Sequence, residues 1–163
     1  MFKICIALLG AWFKNGLVQQ IEVKLKFDKN GNLFNDVILK PADFEKIFGY
    51  NPQRKKQIAN LFTIAKTINL FGGKEMYVVG SFITDKKLPN DIDVCFDAEG
   101  VDYIILKEKY PDFFNKEGLK KIHDRLNLHM FFFASFDTEM LDWFRLDRNN
   151  NKRGIVKILL KDL

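Results

Sequence analysis

Two aspartates one residue apart are the strongest chemical signal in this sequence. Asp91 and Asp93 open the segment DIDVCF, whose first four residues alternate acidic with apolar side chains, as a half-buried strand does. Side chains two positions apart on a strand point to the same face, so the two carboxylates should project together while Ile92 and Val94 face the core. Paired carboxylates on one face favour Mg²⁺ bound together with phosphate oxygens and water. The alternative is a pair of exposed surface charges.

A Gly-Ser pair precedes the aspartates at a spacing that suits phosphate binding. Gly80 and Ser81 follow the apolar run MYVV, and residues 82–90 connect them to Asp91. Glycine allows a phosphate to approach the backbone closely, and Ser81 adds a hydroxyl and an N–H. Lys86 and Lys87 in the connecting loop are candidates for contacts to the outer phosphates, with a solvated lysine pair as the alternative. The segment therefore predicts a nucleotide-binding site.

These motifs carry a resemblance to a known superfamily. VVGSF, followed across the loop by DIDV, resembles the signature of the nucleotidyltransferase superfamily that includes DNA polymerase beta and the minimal nucleotidyltransferases. Within it, GSFITDKKLPNDIDV and the tail WFRLDRNNNKRGIVKI resemble an uncharacterised bacterial family of short, single-domain proteins. The resemblance runs from about residue 27 to residue 160, and residues 1–26 fall outside it.

The resemblance implies both a fold and a set of site residues. The expected fold is the α+β nucleotidyltransferase fold, a mixed sheet of about five strands with helices packed mainly on one side. It would form a single domain over residues 1–163, with residues 1–26 as an N-terminal β extension. Gly80 and Ser81 would hold the triphosphate, and Asp91 and Asp93 would coordinate Mg²⁺. In such sites an acceptor hydroxyl attacks the α-phosphorus, pyrophosphate leaves, and two metal ions stabilise the attacking and leaving oxygens.

The implied function is transfer of a nucleotidyl group from a nucleoside triphosphate, with ATP as the expected donor. The acceptor would be a hydroxyl of RNA, of a protein or of a small molecule, and the minimal relatives suggest a toxin–antitoxin or phage-defence module. A second interpretation is a nucleotide-binding or protein-interaction module that does not catalyse transfer.

The sequence departs from the superfamily pattern at the third carboxylate. The strand expected to carry it is NLHMFFFAS, where His129 stands nearest the expected position. Imidazole suits softer transition metals better than Mg²⁺. Asp124 and Asp137 flank the strand as other candidates. The hypothesis is that His129 acts as a base or that catalysis is weak or lost, and the alternative is a hydrogen-bonded core histidine.

Composition limits the class of protein. The 163 residues are 47% hydrophobic and 29% charged, typical of a globular domain, with a net charge of +5. Cys5 and Cys95 form neither a metal-ligand spacing nor a disulfide framework, which favours a reducing, cytoplasmic compartment. The opening run MFKICIALLGAWF is shorter than the roughly 20 residues that span a bilayer, so no membrane partner is expected. A basic C-terminal cluster could guide RNA or be a solvated turn. It consists of Arg145, Arg148, Lys152, Arg153 and Lys157.

The elements that must position the site are predicted from hydrophobic spacing and from proline and glycine boundaries. Helices are predicted from Pro41 to just before Gly49, from Pro52 to about Leu70, in two stretches either side of Pro111, and over TEMLDWFRL. Core strands are predicted at MYVV, DIDVCF, LHMFFFA and GIVKILL. The predicted core consists of Leu61, Phe62, Ala65, Ile68, Val78, Val79, Ile92, Val94, Phe96, Phe131 and Phe133.

Overall fold

The computed structural model describes residues 25–134 and 139–163, which form an α+β structure around a five-stranded mixed sheet. The strands are β1 (Val37–Ile38), β2 (Glu75–Val79), β3 (Ile92–Asp97), β4 (Leu128–Phe133) and β5 (Val156–Leu159). The α-helices are α1 (Pro41–Phe48), α2 (Pro52–Leu70), α3 (Tyr103–Lys109), α4 (Lys116–Leu126) and α5 (Glu139–Phe144). Short 3₁₀ turns cover Gly80–Ile83, Pro111–Phe114 and Leu160–Asp162.

The sheet has the order β1-β5-β2-β3-β4. β2 runs antiparallel to both β5 and β3, whereas β1 pairs in parallel with β5, and β3 with β4. The parallel β3–β4 pair requires a crossover, which the segment from α3 to α4 supplies. The predicted α+β class and the mixed sheet of five strands are confirmed. The sheet brings the start of β3, with its aspartates, beside the start of β4.

The two faces of the sheet differ in what covers them. On the helix-covered face, side chains such as Val78, Ile92 and Val94 are fully buried in a large cluster with residues of α1 and α2. On the opposite face, here called the site face, Val79 and Cys95 are buried in a smaller cluster with α5. That smaller cluster consists of Val79, Cys95, Phe133, Leu141, Phe144 and Ile155. Four of the five α-helices contribute buried residues to the larger cluster or pack against it, and α5 to the smaller one.

The helix boundaries around α1 and α2 follow the predicted signals. α1 begins at Pro41 and is closed by Gly49, whose N–H donates to the carbonyl of Glu45 at 2.8 Å. α2 begins at Pro52, and the Asn51 side chain caps it by accepting a hydrogen bond from the Arg54 N–H at 2.9 Å. Proline at the first helical position costs no hydrogen bond, because that N–H has no intrahelical acceptor.

Two of the predicted core residues are not buried. Phe131 is 37% exposed, because odd-numbered residues of β4 lie on the site face at the end of the sheet, where, among the described helices, α5 packs against it. Phe62 is partly buried and packs against the edge of the larger cluster. The remaining predicted core residues are buried, but Val79 and Phe133 belong to the smaller cluster. The sheet therefore has two cores of unequal size.

One observed strand was not predicted, and one predicted strand region is not tested. The fifth strand is β1, whose two residues are too few to show a hydrophobic period, and it was not predicted. The predicted N-terminal β extension over residues 1–26 lies almost wholly outside the described residues. Beyond its end, Phe27 forms only an isolated antiparallel bridge with Leu33. Among the described residues, no helix is both long enough and apolar enough to cross a membrane.

Candidate metal and nucleotide site

The aspartate pair lies at the start of β3, on the site face and opposite a histidine. Asp91 immediately precedes the strand, and Asp93 is paired in parallel register with His129 of β4. His129 Nδ1 lies 3.2 Å from Asp93 Oδ1 and 3.7 Å from Asp91 Oδ2. Since one ring nitrogen is close to both carboxylates, the predicted projection of Asp91 and Asp93 to the same side is confirmed. The register also confirms that His129 stands opposite the pair.

Gly80 closes the site from the end of β2. Val79 pairs with Asp93, and Gly80 then turns the chain into a 3₁₀ turn with a φ of 75°. A Cβ at position 80 would lie 2.2 Å from Asp93 Oδ2, so no larger residue fits without moving that carboxylate. Glycine is therefore required here both by the left-handed backbone and by the approach of Asp93. Ser81 follows, partly buried, at the predicted strand-to-helix turn.

A second histidine, not predicted, belongs to the same cluster. His123 in the last turn of α4 places Nε2 3.9 Å from Asp91 Oδ2, and its ring stacks on that of His129. The ring centroids are 4.1 Å apart and the planes differ by 8°. Asn127, in the left-handed conformation, turns α4 directly into β4 and so brings the two rings together. A signal was present in the sequence, because His123 and His129 are the only histidines of the chain.

Burial and nearby charges shift the pKa of Asp93. Burial raises the pKa of the Asp93 carboxyl, the Asp91 charge raises it further, and His129 opposes both. Arg153, a member of the basic C-terminal cluster, also interacts with Asp93. Burial lowers the pKa of Arg153, while the charges of Asp93 and Asp147 raise it. The Arg153 Nε–H donates to the carbonyl of Phe144 at 2.7 Å, which holds the guanidinium beside α5. A bound cation would relieve the repulsion between the two carboxylates.

The predicted lysine contacts lie in a loop that is attached to α2. Lys86 and Lys87 are exposed, and their carbonyls accept hydrogen bonds from α2 and its cap, including 2.8 Å from Arg54 Nη2 and 3.0 Å from Asn51 Nδ2. Arg54 is fully buried and also donates to the carbonyl of Phe82 at 2.8 Å. These bonds fix the backbone of the loop between Gly80 and Asp91, although neither lysine side chain has a described contact with the aspartates.

Of the other acidic candidates, the one that the structure describes does not join the pair. Asp124 is exposed and contacts Lys120 and His123, whose Nδ1 lies 3.2 Å from Asp124 Oδ1, so it does not replace the third carboxylate. Asp137 lies outside the described residues. Cys95 is buried on the same face as Asp93, and burial, with a smaller effect of the Asp93 charge, raises its pKa to about 12. Its thiol is therefore unreactive at neutral pH.

The basic C-terminal cluster is divided among separate partners. Arg145 pairs with Asp36 and Asp142, and Lys157 Nζ lies 2.6 Å from Glu75 Oε2. Arg148 and Lys152 are exposed in the turn before β5. Two of the five cations are therefore paired with carboxylates.

Comparison with known proteins assigns the chain to a family. It belongs to DUF6932, a family of unknown function, whose model matches residues 25–159. No curated protein and no solved structure matches the chain. The matched range includes Gly80, both aspartates and both histidines, so the whole candidate site lies within the family region.

Proposed function

We propose that the protein has the nucleotidyltransferase fold, binds a nucleoside triphosphate with Mg²⁺, and transfers a nucleotidyl group to a hydroxyl acceptor. The observation that carries this proposal is the position of His129 Nδ1, 3.2 Å from Asp93 and 3.7 Å from Asp91. Two carboxylates therefore meet on one side of β3, next to the turn at Gly80. This is the arrangement expected of a magnesium–nucleotide site.

The site provides oxygen ligands for two of the coordination positions of Mg²⁺. Asp91 and Asp93 would hold the ion, which retains water and phosphate oxygens as its other ligands. When bound, Mg²⁺ supplies charge stabilisation at the α-phosphorus and at the departing pyrophosphate. Burial and, after it, the Asp91 charge raise the pKa of the Asp93 carboxyl, and a bound cation would offset both effects.

His129 would take the proton of the attacking hydroxyl. If Nδ1 carries hydrogen and donates to Asp93, the ring is oriented and Nε2 is left as the proton acceptor. The acceptor oxygen then bonds to the α-phosphorus as the bond to pyrophosphate breaks. Gly80 and Ser81 would lie against the triphosphate. Lys86 and Lys87, in the loop between Ser81 and Asp91, would contact its outer phosphates.

The test follows the label from each α-³²P-labelled nucleoside triphosphate into RNA, protein and small-molecule fractions, with Mg²⁺ present. We expect transfer that Asp93→Asn abolishes and that His129→Ala strongly reduces. Asp112→Asn, an exposed acid in the 3₁₀ turn Pro111–Phe114, is the matched control and should retain full activity. Transfer that persists in Asp93→Asn would refute the proposed site, and full activity in His129→Ala would refute the role of His129.

A second candidate function is nucleotide binding without transfer. It is favoured by one observation: among the described residues, an imidazole and not a third carboxylate faces the aspartate pair. Thermal unfolding with ATP, GTP, CTP and UTP separates the two candidates. Mg²⁺-dependent stabilisation with pyrophosphate release supports transfer, and stabilisation without release supports a binding module.

The acceptor and the setting are part of the same proposal. We expect an RNA, protein or small-molecule hydroxyl, within a toxin–antitoxin or phage-defence module in the cytoplasm. For RNA, the exposed cations Arg148 and Lys152 are the expected contacts, because Arg145 and Lys157 are already paired. A tRNA titration at low and moderate salt tests this, since binding through phosphates weakens as salt rises. Binding that does not depend on salt, or no binding, would exclude the RNA acceptor.

A further inference from the structure

Three side chains around the site form a cluster that the nucleotide proposal does not explain. Asp91, His123 and His129 each offer one ligand atom, and these atoms lie within 4.8 Å of one another. Asp91 Oδ2 is 3.9 Å from His123 Nε2 and 3.7 Å from His129 Nδ1. The three residues come from the start of β3, the end of α4 and β4. Three elements therefore converge on one point at this edge of the sheet.

The ligand types define the ion that the cluster would take. Mg²⁺ and Ca²⁺ are held by oxygen, whereas imidazole suits first-row transition metals. Two imidazoles with one carboxylate are a recurrent ligand set for Zn²⁺ and Fe²⁺, with positions left open for water or substrate. Asp93, 3.2 Å from His129, stands beside the cluster as a further oxygen donor.

The spacing is close to that of a bound ion. Metal–ligand bonds of about 2.0 to 2.2 Å place neighbouring ligands of a tetrahedral site about 3.3 to 3.6 Å apart. The contacts of Asp91 at 3.7 and 3.9 Å therefore need to shorten by only a few tenths of an ångström, and the two imidazole nitrogens, which lie within 4.8 Å of each other, by at most about 1.5 Å. An ion lies in the plane of each ring that ligates it, so the parallel histidine rings must turn apart when both bind. Their side chains are 35% and 42% exposed, which leaves room for that rotation.

An outer carboxylate supports the same interpretation independently. His123 points Nε2 at Asp91 and places Nδ1 3.2 Å from Asp124 Oδ1. Ligating histidines commonly donate their second N–H to a carboxylate, which sets the tautomer and the ring orientation. Lys120 in turn contacts Asp124 on the same face of α4. Asp124 therefore holds His123 with its other ring nitrogen, Nε2, toward Asp91.

We propose that Asp91, His123 and His129 bind one first-row transition-metal dication, of which Zn²⁺ and Co²⁺ are the practical probes. The site overlaps the nucleotide site at Asp91 and His129, but its binding does not depend on the proposed transfer. One consequence does rest on the proposed function: an ion on His129 Nδ1 leaves the proton on Nε2, so His129 cannot then act as the base. Zn²⁺ should therefore suppress transfer in the presence of Mg²⁺.

The experiment is a Zn²⁺ titration of the full chain, free of any histidine tag, against a chromophoric chelator. We expect one Zn²⁺ per chain that millimolar Mg²⁺ does not displace. His123→Ala should abolish competition with the chelator, and Asp124→Asn should weaken binding about 10- to 100-fold. Glu117→Gln, an exposed acid of the same helix, is the matched control and should bind as the wild type does. Equal Zn²⁺ binding by wild type and His123→Ala would overturn the proposal, as would displacement of Zn²⁺ by millimolar Mg²⁺.

Two further readouts identify the ligands. Co²⁺ should give visible absorption bands without the charge-transfer band of a thiolate, and a thiolate band would overturn the assignment. Because the chain contains two histidines, ¹⁵N NMR should show both imidazoles shifting on Zn²⁺ addition. If only one imidazole shifts, the three-ligand site is refuted.

The Asp124→Asn variant separates this proposal from the nucleotide site. Asp124 is exposed and contacts Lys120 and His123, so Asp124→Asn should weaken Zn²⁺ binding and keep Mg²⁺-dependent stabilisation by a nucleoside triphosphate. Zn²⁺ binding without nucleotide binding would refute the proposed function alone. Nucleotide binding without Zn²⁺ binding would refute this inference alone.

Discussion

The two faces of the sheet are built from the same strands but differ in burial and in the side chains that they carry. On the helix-covered face, Ile92 and Val94 are fully buried among the side chains of the larger core. On the site face, Asp93 between them is only partly buried and faces a histidine. Because alternate residues of a strand point in opposite directions, one short segment contributes both to the larger core and to the candidate site. The contrast predicts that neighbouring substitutions will have opposite effects on stability.

The largest expected effect is on the helix-covered face. Ile92→Ala should lower the free energy of unfolding by about 2 to 5 kcal/mol, because it leaves a cavity in a fully packed core. Ile104→Ala is the matched control, since Ile104 is 83% exposed on α3. Urea denaturation measures both. A loss below that of the control would show that this face is not the main source of stability.

Replacement of the buried Arg54 should lower the free energy of unfolding somewhat less than Ile92→Ala does. Arg54→Met keeps the volume but leaves the carbonyls of Phe48 and Phe82 without their donor, at a cost on the order of 3 kcal/mol. Hydrogen exchange should also quicken at residues 84–90, whose loop Arg54 attaches to α2. The exposed Arg148→Met serves as control. Unchanged exchange in this loop would show that Arg54 does not position it.

On the site face, a substitution should stabilise the metal-free protein. Burial and Asp91 raise the pKa of Asp93 in the folded state, so the folded protein binds this proton more tightly than the unfolded chain does. Stability therefore falls as pH rises from the ordinary carboxyl range through the raised pKa. Asp93→Asn avoids this loss and should gain about 0.5 to 2 kcal/mol at neutral pH, in chelator-treated protein.

The pH dependence provides the check on this gain. Thermal unfolding of wild type and Asp93→Asn should converge below the ordinary carboxyl pKa, where Asp93 is protonated in both states. Asp112→Asn should follow the wild type throughout. If Asp93→Asn proves less stable than the wild type at neutral pH, the two faces do not differ as described.

The smallest effect is expected at the turn that joins the two histidines. Asn127 has a φ of 53°, so Asn127→Ala should cost about 1 kcal/mol, whereas Asn127→Gly should stay close to the wild type. Its carbonyl also accepts the Ile92 N–H at 2.9 Å, which links this turn to the aspartates. Urea denaturation compares the two variants. Equal losses would show that backbone conformation is not what the position requires.

Local sequence signals were sufficient for most of the secondary structure. Pro41, Gly49 and Pro52 mark helix ends that the structure has at the same places, because proline and glycine act on the backbone through their own covalent geometry. Strand alternation placed Asp91 and Asp93 on one side for the same local reason. The two-residue strand β1 was missed, since only pairing with β5 makes it a strand.

The sequence by itself determined the acidic pair, the glycine before it and the register of apolar residues that separates the two faces. Only the tertiary structure decided what surrounds the pair. The contacts of His123 with Asp91, of Arg153 with α5 and of Arg54 with the loop all join residues whose proximity depends on how helices pack on strands. Such contacts leave no periodic signal in the chain, because they depend on the path of the backbone between them and not on the residues on either side.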